Sequence, residues 1–281
     1  MKEYDLAFSL GFSCGTSQAL RAAGLQFASY PLDWTGEPDM MSGLRLVLDD
    51  FAGWFEAEDL VLVDVRHGAG FCTRCYRNRK TNLGFSHEFP DFMPFEESFP
   101  MVQGTYGRRV ERFIESTRAS RRILAVYMEF PSKPRAGDEY IVSARQALAE
   151  KLPHAEVDLL YVYVDPNGRK PELKELAQGV YVAGFDYRMY DEGKLSHYVD
   201  WAPLVPLLHE SFRVVDSRSE GEKKDFAKFE KTSSDMRWGP DKSRFRRWLN
   251  KHAYKTYRSL ERILVNRGLV QKEGPLWFWD E

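Results

Sequence analysis

Apolar residues gather in six short runs along the chain. Asp5–Leu10, Leu60–Val65, Arg122–Phe130, Glu156–Val164, Val180–Tyr187 and Phe212–Ser217 are dense in Val, Ile, Leu, Phe and Tyr and read as strands. Between them the period changes. Apolar positions three and four apart predict helices over 15–24, 40–55, 106–120, 138–152, 171–178 and 199–210. Gly24 closes the first of these, Asp138 is placed to cap the fourth, and Pro171 opens the fifth. Residues 27–40 form a loop broken by Pro31, Gly36 and Pro38. Residues 66–100 are rich in aromatics, Gly and Pro, show no clear period, and read as an irregular insert. The expected fold is α/β: a mostly parallel sheet flanked by helices.

From 242 to 267 the helical period returns with a different character. Phe245, Leu249, Thr256, Leu260, Ile263 and Leu264 share one face, and Arg246, Arg247, Lys251, Lys255, Arg258 and Arg262 fill much of the rest. Charge counts place a boundary before it. Residues 221–281 hold 15 Lys and Arg against 9 Asp and Glu, a net of +6, while residues 1–220 hold 25 against 33, a net of -8. The expected organisation is an α/β main domain over 1–220 and a basic helical C-terminal extension over 221–281.

Composition narrows the class. The chain has 281 residues, is 43% hydrophobic and 29% charged, and so can bury a sizeable core. Three cysteines, Cys14, Cys72 and Cys75, argue against a disulfide framework. The first apolar run is too short and too charged at its start for a signal peptide. No stretch approaches about 18 consecutive apolar residues. These features lead to the expectation of a cytoplasmic protein. The basic tail is expected to dock on the body through its apolar face, and second to lie against the inner face of an anionic membrane through 242–267. Nucleic acid is disfavoured, because the body is acidic and carries no reading motif.

The chemistry concentrates in Leu6–Gly24. Cys14 follows the first strand and begins a helix, and sites in parallel α/β proteins collect at the carboxyl ends of strands. Exposed N–H groups at a helix N-terminus favour a thiolate. A thiolate used as a nucleophile needs a base, most often His. Among the six histidines, His87 in the aromatic-rich insert is the leading candidate and His197 the next. The bland alternative is that Cys14 only packs.

The blocks Ser9-Leu10-Gly11, Cys14 and Ser29-Tyr30-Pro31-Leu32-Asp33-Trp34, with His87-Glu88-Phe89 later, carry a resemblance. They are similar to a microbial domain of unknown function labelled putative papain-like cysteine peptidase. That family's pattern is Ser-Leu-Gly, two residues, Cys, a helix, then Ser-Tyr-Pro-Phe-Asp-Trp, and Leu32 stands here where it has Phe. The resemblance implies a catalytic set of Cys14, His87 and Asp33, with Ser9, Gly11, Tyr30, Trp34 and Glu88 contacting substrate. Glu88 and Asp91 compete with Asp33 to orient the histidine, and turn chemistry accounts for Asp33 equally well. Papain-like enzymes pack the cysteine helix on an antiparallel sheet, whereas the strand-helix rhythm here predicts a parallel one.

Two other motifs are weaker. Cys72-Thr73-Arg74-Cys75 has half the spacing of a zinc site, but no second pair exists, so no metal is expected. Ser9–Gly15 offers a glycine turn before a helix that suits phosphate, without the Lys of a P-loop. The expected function is a cysteine hydrolase or acyl transferase acting on an amide or ester of a peptide, acyl or glycan substrate without a cofactor. The rival is a glycan-related transferase that binds a nucleotide-linked donor above the sheet, with Cys14 structural.

Overall fold

The computed structural model describes residues 1–36, 39–67, 72–91, 93–191, 194–216, 218–221 and 223–224. The chain divides into two compact units. The first comprises Met1–Val61, Tyr76–Phe85 and Thr105–Ser217, and the second Leu62–Cys75, Ser86–Gly104 and Arg218–Glu281. The predicted tail helix over 242–267 lies outside the described residues.

The elements in chain order are β1 (Lys2–Tyr4), β2 (Leu6–Ser9), α1 (Cys14–Ala22), β3 (Thr35–Gly36), α2 (Met40–Leu48), β4 (Leu60–His67), β5 (Cys72–Asn78) and β6 (Gly84–Pro90). Then follow α3 (Phe95–Ala119), β7 (Arg122–Met128), α4 (Asp138–Lys151), β8 (Glu156–Val164), β9 (Glu172–Ala177), β10 (Val180–Phe185), β11 (Arg188–Asp191), β12 (Lys194–Val199), α5 (Leu204–Ser211) and β13 (Phe212–Val214).

The first unit is built on a five-stranded sheet of order β2-β7-β8-β10-β9. β2, β7, β8 and β10 run parallel, and β9 joins β10 antiparallel. Ile123–Met128 and Val157–Val162 are buried without alternation, which requires cover on both faces. α1 packs on β2 and β7, and α4 on β8 and β10. The mixed α/β architecture expected from the sequence is the one found. β1 and β13, a short parallel pair, add a second sheet.

Several elements differ from the expectation. Residues 171–178 read as a helix, but Glu172–Ala177 form β9, because they pair antiparallel with β10, across a register shift between Val180 and Tyr181, and that tertiary pairing outweighs local propensity. The helix expected over 40–55 ends at Leu48. Asp50 and Phe51 then turn left-handed, and Phe51 and Trp54 enter an aromatic core with Phe85, Tyr106 and Phe113. The "irregular" insert holds β5 and β6, in a sheet of order β3-β6-β5-β4. Asn78 organises the turn between them: its N–H donates to Leu83 O, its carboxamide oxygen accepts from Lys80 and Thr81, and its Nδ2 donates to Trp54 O. β11 and β12, which no sequence expectation covered, pair antiparallel after β10. Asp138 sits in the first turn of α4, and the N-cap position belongs to Gly137.

In the second unit, Thr73 Oγ1 donates to Ser86 O at 2.7 Å and Arg74 Nη1 to Met93 O at 2.6 Å. Phe89 stacks on Phe95, and Phe95 meets Phe99.

Candidate functional site

β2 delivers the chain to the carboxyl edge of the parallel sheet, where Leu10 N donates to Val126 O. The backbone then reverses sharply. Gly11 has φ 98° and Phe12 φ 78°. Glycine takes the left-handed region readily, but a Phe there costs about 1–3 kcal/mol and persists only where its surroundings hold it. The hold is visible. Gly11 N donates to Ser9 Oγ at 2.9 Å, Thr16 Oγ1 donates to Gly11 O at 3.0 Å, and the buried Phe12 ring meets Phe130 edge-on at 5.2 Å.

Ser13 then caps α1, its hydroxyl oxygen accepting from Gly15 N at 3.2 Å. Cys14 is the first residue of the helix, partly exposed, and not in a disulfide. Its thiol therefore sits where the N–H groups of the first turn favour the thiolate. Two close approaches fix this turn. A Cβ on Gly43 of α2 would lie 2.2 Å from Leu10 O, and one on Gly15 would lie 2.8 Å from Val199 Cγ2. Trp201 Nε1 donates to Gln18 Oε1 at 3.1 Å, so the chain after β12 is fastened to the same helix.

The loop bearing Tyr30–Trp34 folds behind α1. Asp33 is fully buried. Its carboxylate accepts from Gln26 Nε2 at 2.8 and 2.9 Å, from Tyr30 N at 2.8 Å and from Arg21 Nη2 at 3.4 Å. Burial pushes its carboxyl above the ordinary carboxylate range, opposed by Arg21, the Tyr30 N–H and Gln26. Arg21 lies over the Trp34 ring and donates to Ser29 Oγ, and Ser17 Oγ donates to Asp33 O at 3.0 Å. Tyr30 and Trp34 are buried, and so is Ser9. Burial also raises the Tyr30 phenol. These residues were expected to touch substrate or orient the histidine. In the structure they shape the turn and anchor the loop to the helix that carries Cys14.

His87 lies on β6 in the second unit. It is exposed between buried Phe85 and Phe89, and its N–H donates to Glu88 Oε2 at 3.0 Å. Ser9, Gly11, Cys14, Tyr30, Asp33 and Trp34 all belong to the first unit. Cys75 is buried, 3.9 Å from Ser86 O, and no cluster of three or more metal-ligating side chains occurs among the described residues.

One group at this edge was missed. Glu129 follows the last residue of β7 and is 6% exposed. Its carboxylate accepts from Phe130 N at 2.8 Å, Tyr161 OH at 2.8 Å and Tyr127 OH at 3.3 Å, and its carbonyl accepts from Tyr187 OH at 2.5 Å. Burial and the Glu129 charge push both the Tyr161 and Tyr187 phenols far up. The available signal was the acidic residue closing the strand in Tyr127-Met128-Glu129-Phe130, since strand carboxyl ends are where α/β proteins place polar chemistry.

A family model described as putative papain-like cysteine peptidase (DUF1796) matches residues 5–167. The chain belongs to this family. The matched part runs from β2 to just past β8, and so includes Cys14, Asp33, His87 and Glu129. Tyr187, β12 and Trp201 lie beyond the match. No curated protein and no solved structure matches the chain.

Proposed function

We propose that this protein is a cysteine hydrolase or acyl transferase with Cys14 as its nucleophile. The observation that carries the reading is the turn itself: a partly exposed thiol at the first residue of a helix, held beyond a parallel strand by a strained Gly11-Phe12 pair. In the proposed reaction the Cys14 thiolate forms a C–S bond to the carbonyl carbon of an amide or ester. N–H groups of the first turn of α1 stabilise the oxyanion. The imidazolium returns its proton to the departing amine or alcohol. Water, or a second acceptor, then attacks the thioester and restores the thiol.

His87 is proposed as the base, on its place in the insert and on the family resemblance. Asp33, Tyr30 and Trp34 are proposed to hold the Cys14 helix, and Gly11 to shape the oxyanion turn. Glu88 is proposed to fix the backbone at His87. A specific observation favours His197 as a second candidate base. β12 passes the first turn of α1, where Val199 meets Gly15, and His197 stands two residues earlier on that strand in the same unit as Cys14.

An electrophilic thiol probe at pH 7 tests the proposal. Labelling of the parent should vanish in Cys14→Ala, and equal labelling of the two sinks the nucleophile. Removing the true base should slow the reaction by about 10²–10⁴-fold, so His87→Gln and His197→Gln compared side by side assign it. Thermal stabilisation by nucleotide sugars, with an unreactive Cys14, would instead favour the glycan-related transferase.

A further inference from the structure

We propose that Glu129 is a positioning residue for the Cys14 turn, setting both of its walls through two separate chains of contact. The inference deepens the cysteine-nucleophile reading and rests on it.

The first chain runs forward from β7. The Glu129 carboxylate accepts the Phe130 N–H at 2.8 Å, and the Phe130 ring packs edge-on against Phe12 at 5.2 Å. Phe12 is the left-handed residue two positions before Cys14, so its surroundings must hold it there. Tyr161 strengthens this wall. Its hydroxyl donates to Glu129 Oε2 and accepts from Ala136 N at 3.0 Å, which ties both ends of the loop after β7 to one carboxylate.

The second chain leaves from the Glu129 carbonyl. Tyr187 OH donates to it at 2.5 Å, and Tyr187 O accepts from Asp200 N at 2.8 Å. On either side of Asp200 stand Val199, which presses on Gly15, and Trp201, which donates to Gln18. Both chains therefore end on residues flanking Cys14, one before it and one after. All of these residues lie in the first unit.

A carboxylate is the group this hub needs. Three donors, a backbone N–H and two phenols, converge on the side chain, and an ionised carboxyl is acceptor-only at both oxygens. A carboxamide would turn an N–H toward one of the donors. Glu129 is too buried to meet substrate, so it acts through Phe12, Gly15 and Gln18 on how the first-turn N–H groups face the thiol.

The sign of the effect separates positioning from simple electrostatics. Removing a negative charge that the thiol feels would by itself lower the thiol pKa and speed alkylation at neutral pH. Loosening the turn raises the pKa and slows it.

The test measures the rate of Cys14 alkylation by iodoacetamide from pH 5 to 9, with Cys14→Ala subtracted as the blank. Thermal unfolding is followed in parallel. Glu129→Gln should move the profile upward by about one pH unit, about tenfold slower alkylation at pH 7. Tyr187→Phe removes no charge and leaves the carboxylate in place, so it covers the case in which Glu129→Gln fails to fold, and it should move the profile the same way. Tyr4→Phe is the control. It breaks a comparable buried bond to Asp158 at 2.6 Å and should lower stability without moving the profile. A profile in Tyr187→Phe that overlays the parent, a downward shift in Glu129→Gln, or an equal shift in Tyr4→Phe overturns the inference. A parent whose Cys14 reacts no faster than a small free thiol overturns the nucleophile reading instead, and the two failures are thereby distinct.

Discussion

Asp33 is a carboxylate shut away from water, and its partners decide what that costs. Gln26, Arg21 and the Tyr30 N–H supply donors, while burial alone favours the neutral acid and lifts the pKa above its unfolded value. A raised acid contributes stability that is present below the unfolded pKa and lost as pH rises through the folded one. The direction follows for Asp33→Asn, which keeps the shape and removes the charge. It should be less stable than the parent by about 1–3 kcal/mol, since donors lose their acceptor. The gap should narrow as pH rises from the ordinary carboxylate range toward neutrality. Denaturant melts of both proteins at several pH values check it, and a widening gap would mean that the donors outweigh burial.

At the scale of elements, the site is a matter of how closely helices approach one turn. α2 touches the chain after β2 at Gly43, where an added Cβ would stand 2.2 Å from the Leu10 carbonyl oxygen. A backbone atom cannot swing aside as a side-chain tip can. Gly43→Ala gains about 1 kcal/mol of helix propensity, but the forced shift costs typically 1–3 kcal/mol or more. The expected outcome is a net loss of stability with slower alkylation of Cys14, because Leu10 leads directly into the Gly11-Phe12 turn. A variant as stable and as reactive as the parent would show that α2 does not constrain the turn. The same closeness explains why α1 was legible and β9 was not. α1 has its own Ser13 cap and its own terminal Gly24, so neighbours in sequence define it. β9 exists only because β10 offers an edge.

At the scale of the whole molecule, the acidic body and the basic 221–281 segment are charge-separated in a way that invites an anionic surface. No helix among the described residues is long and apolar enough to cross a membrane. Docking of the tail on the body is the first expectation, and contact with an anionic membrane the second; that second contact, proposed here, would be peripheral. Each basic residue near an anionic surface is worth about 1 kcal/mol, so replacing Arg246, Arg247, Lys251, Lys255, Arg258 and Arg262 by Gln should abolish sedimentation with phosphatidylserine vesicles. Added salt should weaken the parent in the same assay. Binding that survives both changes removes the membrane role.

What the chain determined by itself is local. Six apolar runs mark strands, Gly24 closes the cysteine helix, and Cys14 stands at a strand-to-helix junction. What only the tertiary structure decided is which segments fold against one another. Asp33 turned inward because Gln26 and Arg21 fold back over it. The aromatic insert became β5 and β6 because their backbone groups pair across a turn built on Asn78. Glu129 became a hub because β8 and the chain after β10 bring Tyr161 and Tyr187 to the end of β7. Propensity, capping and turn chemistry act over a few residues, so sequence carries them. Tyr161 and Tyr187 reach Glu129 from 32 and 58 residues away, and only the folded sheet brings them to one edge.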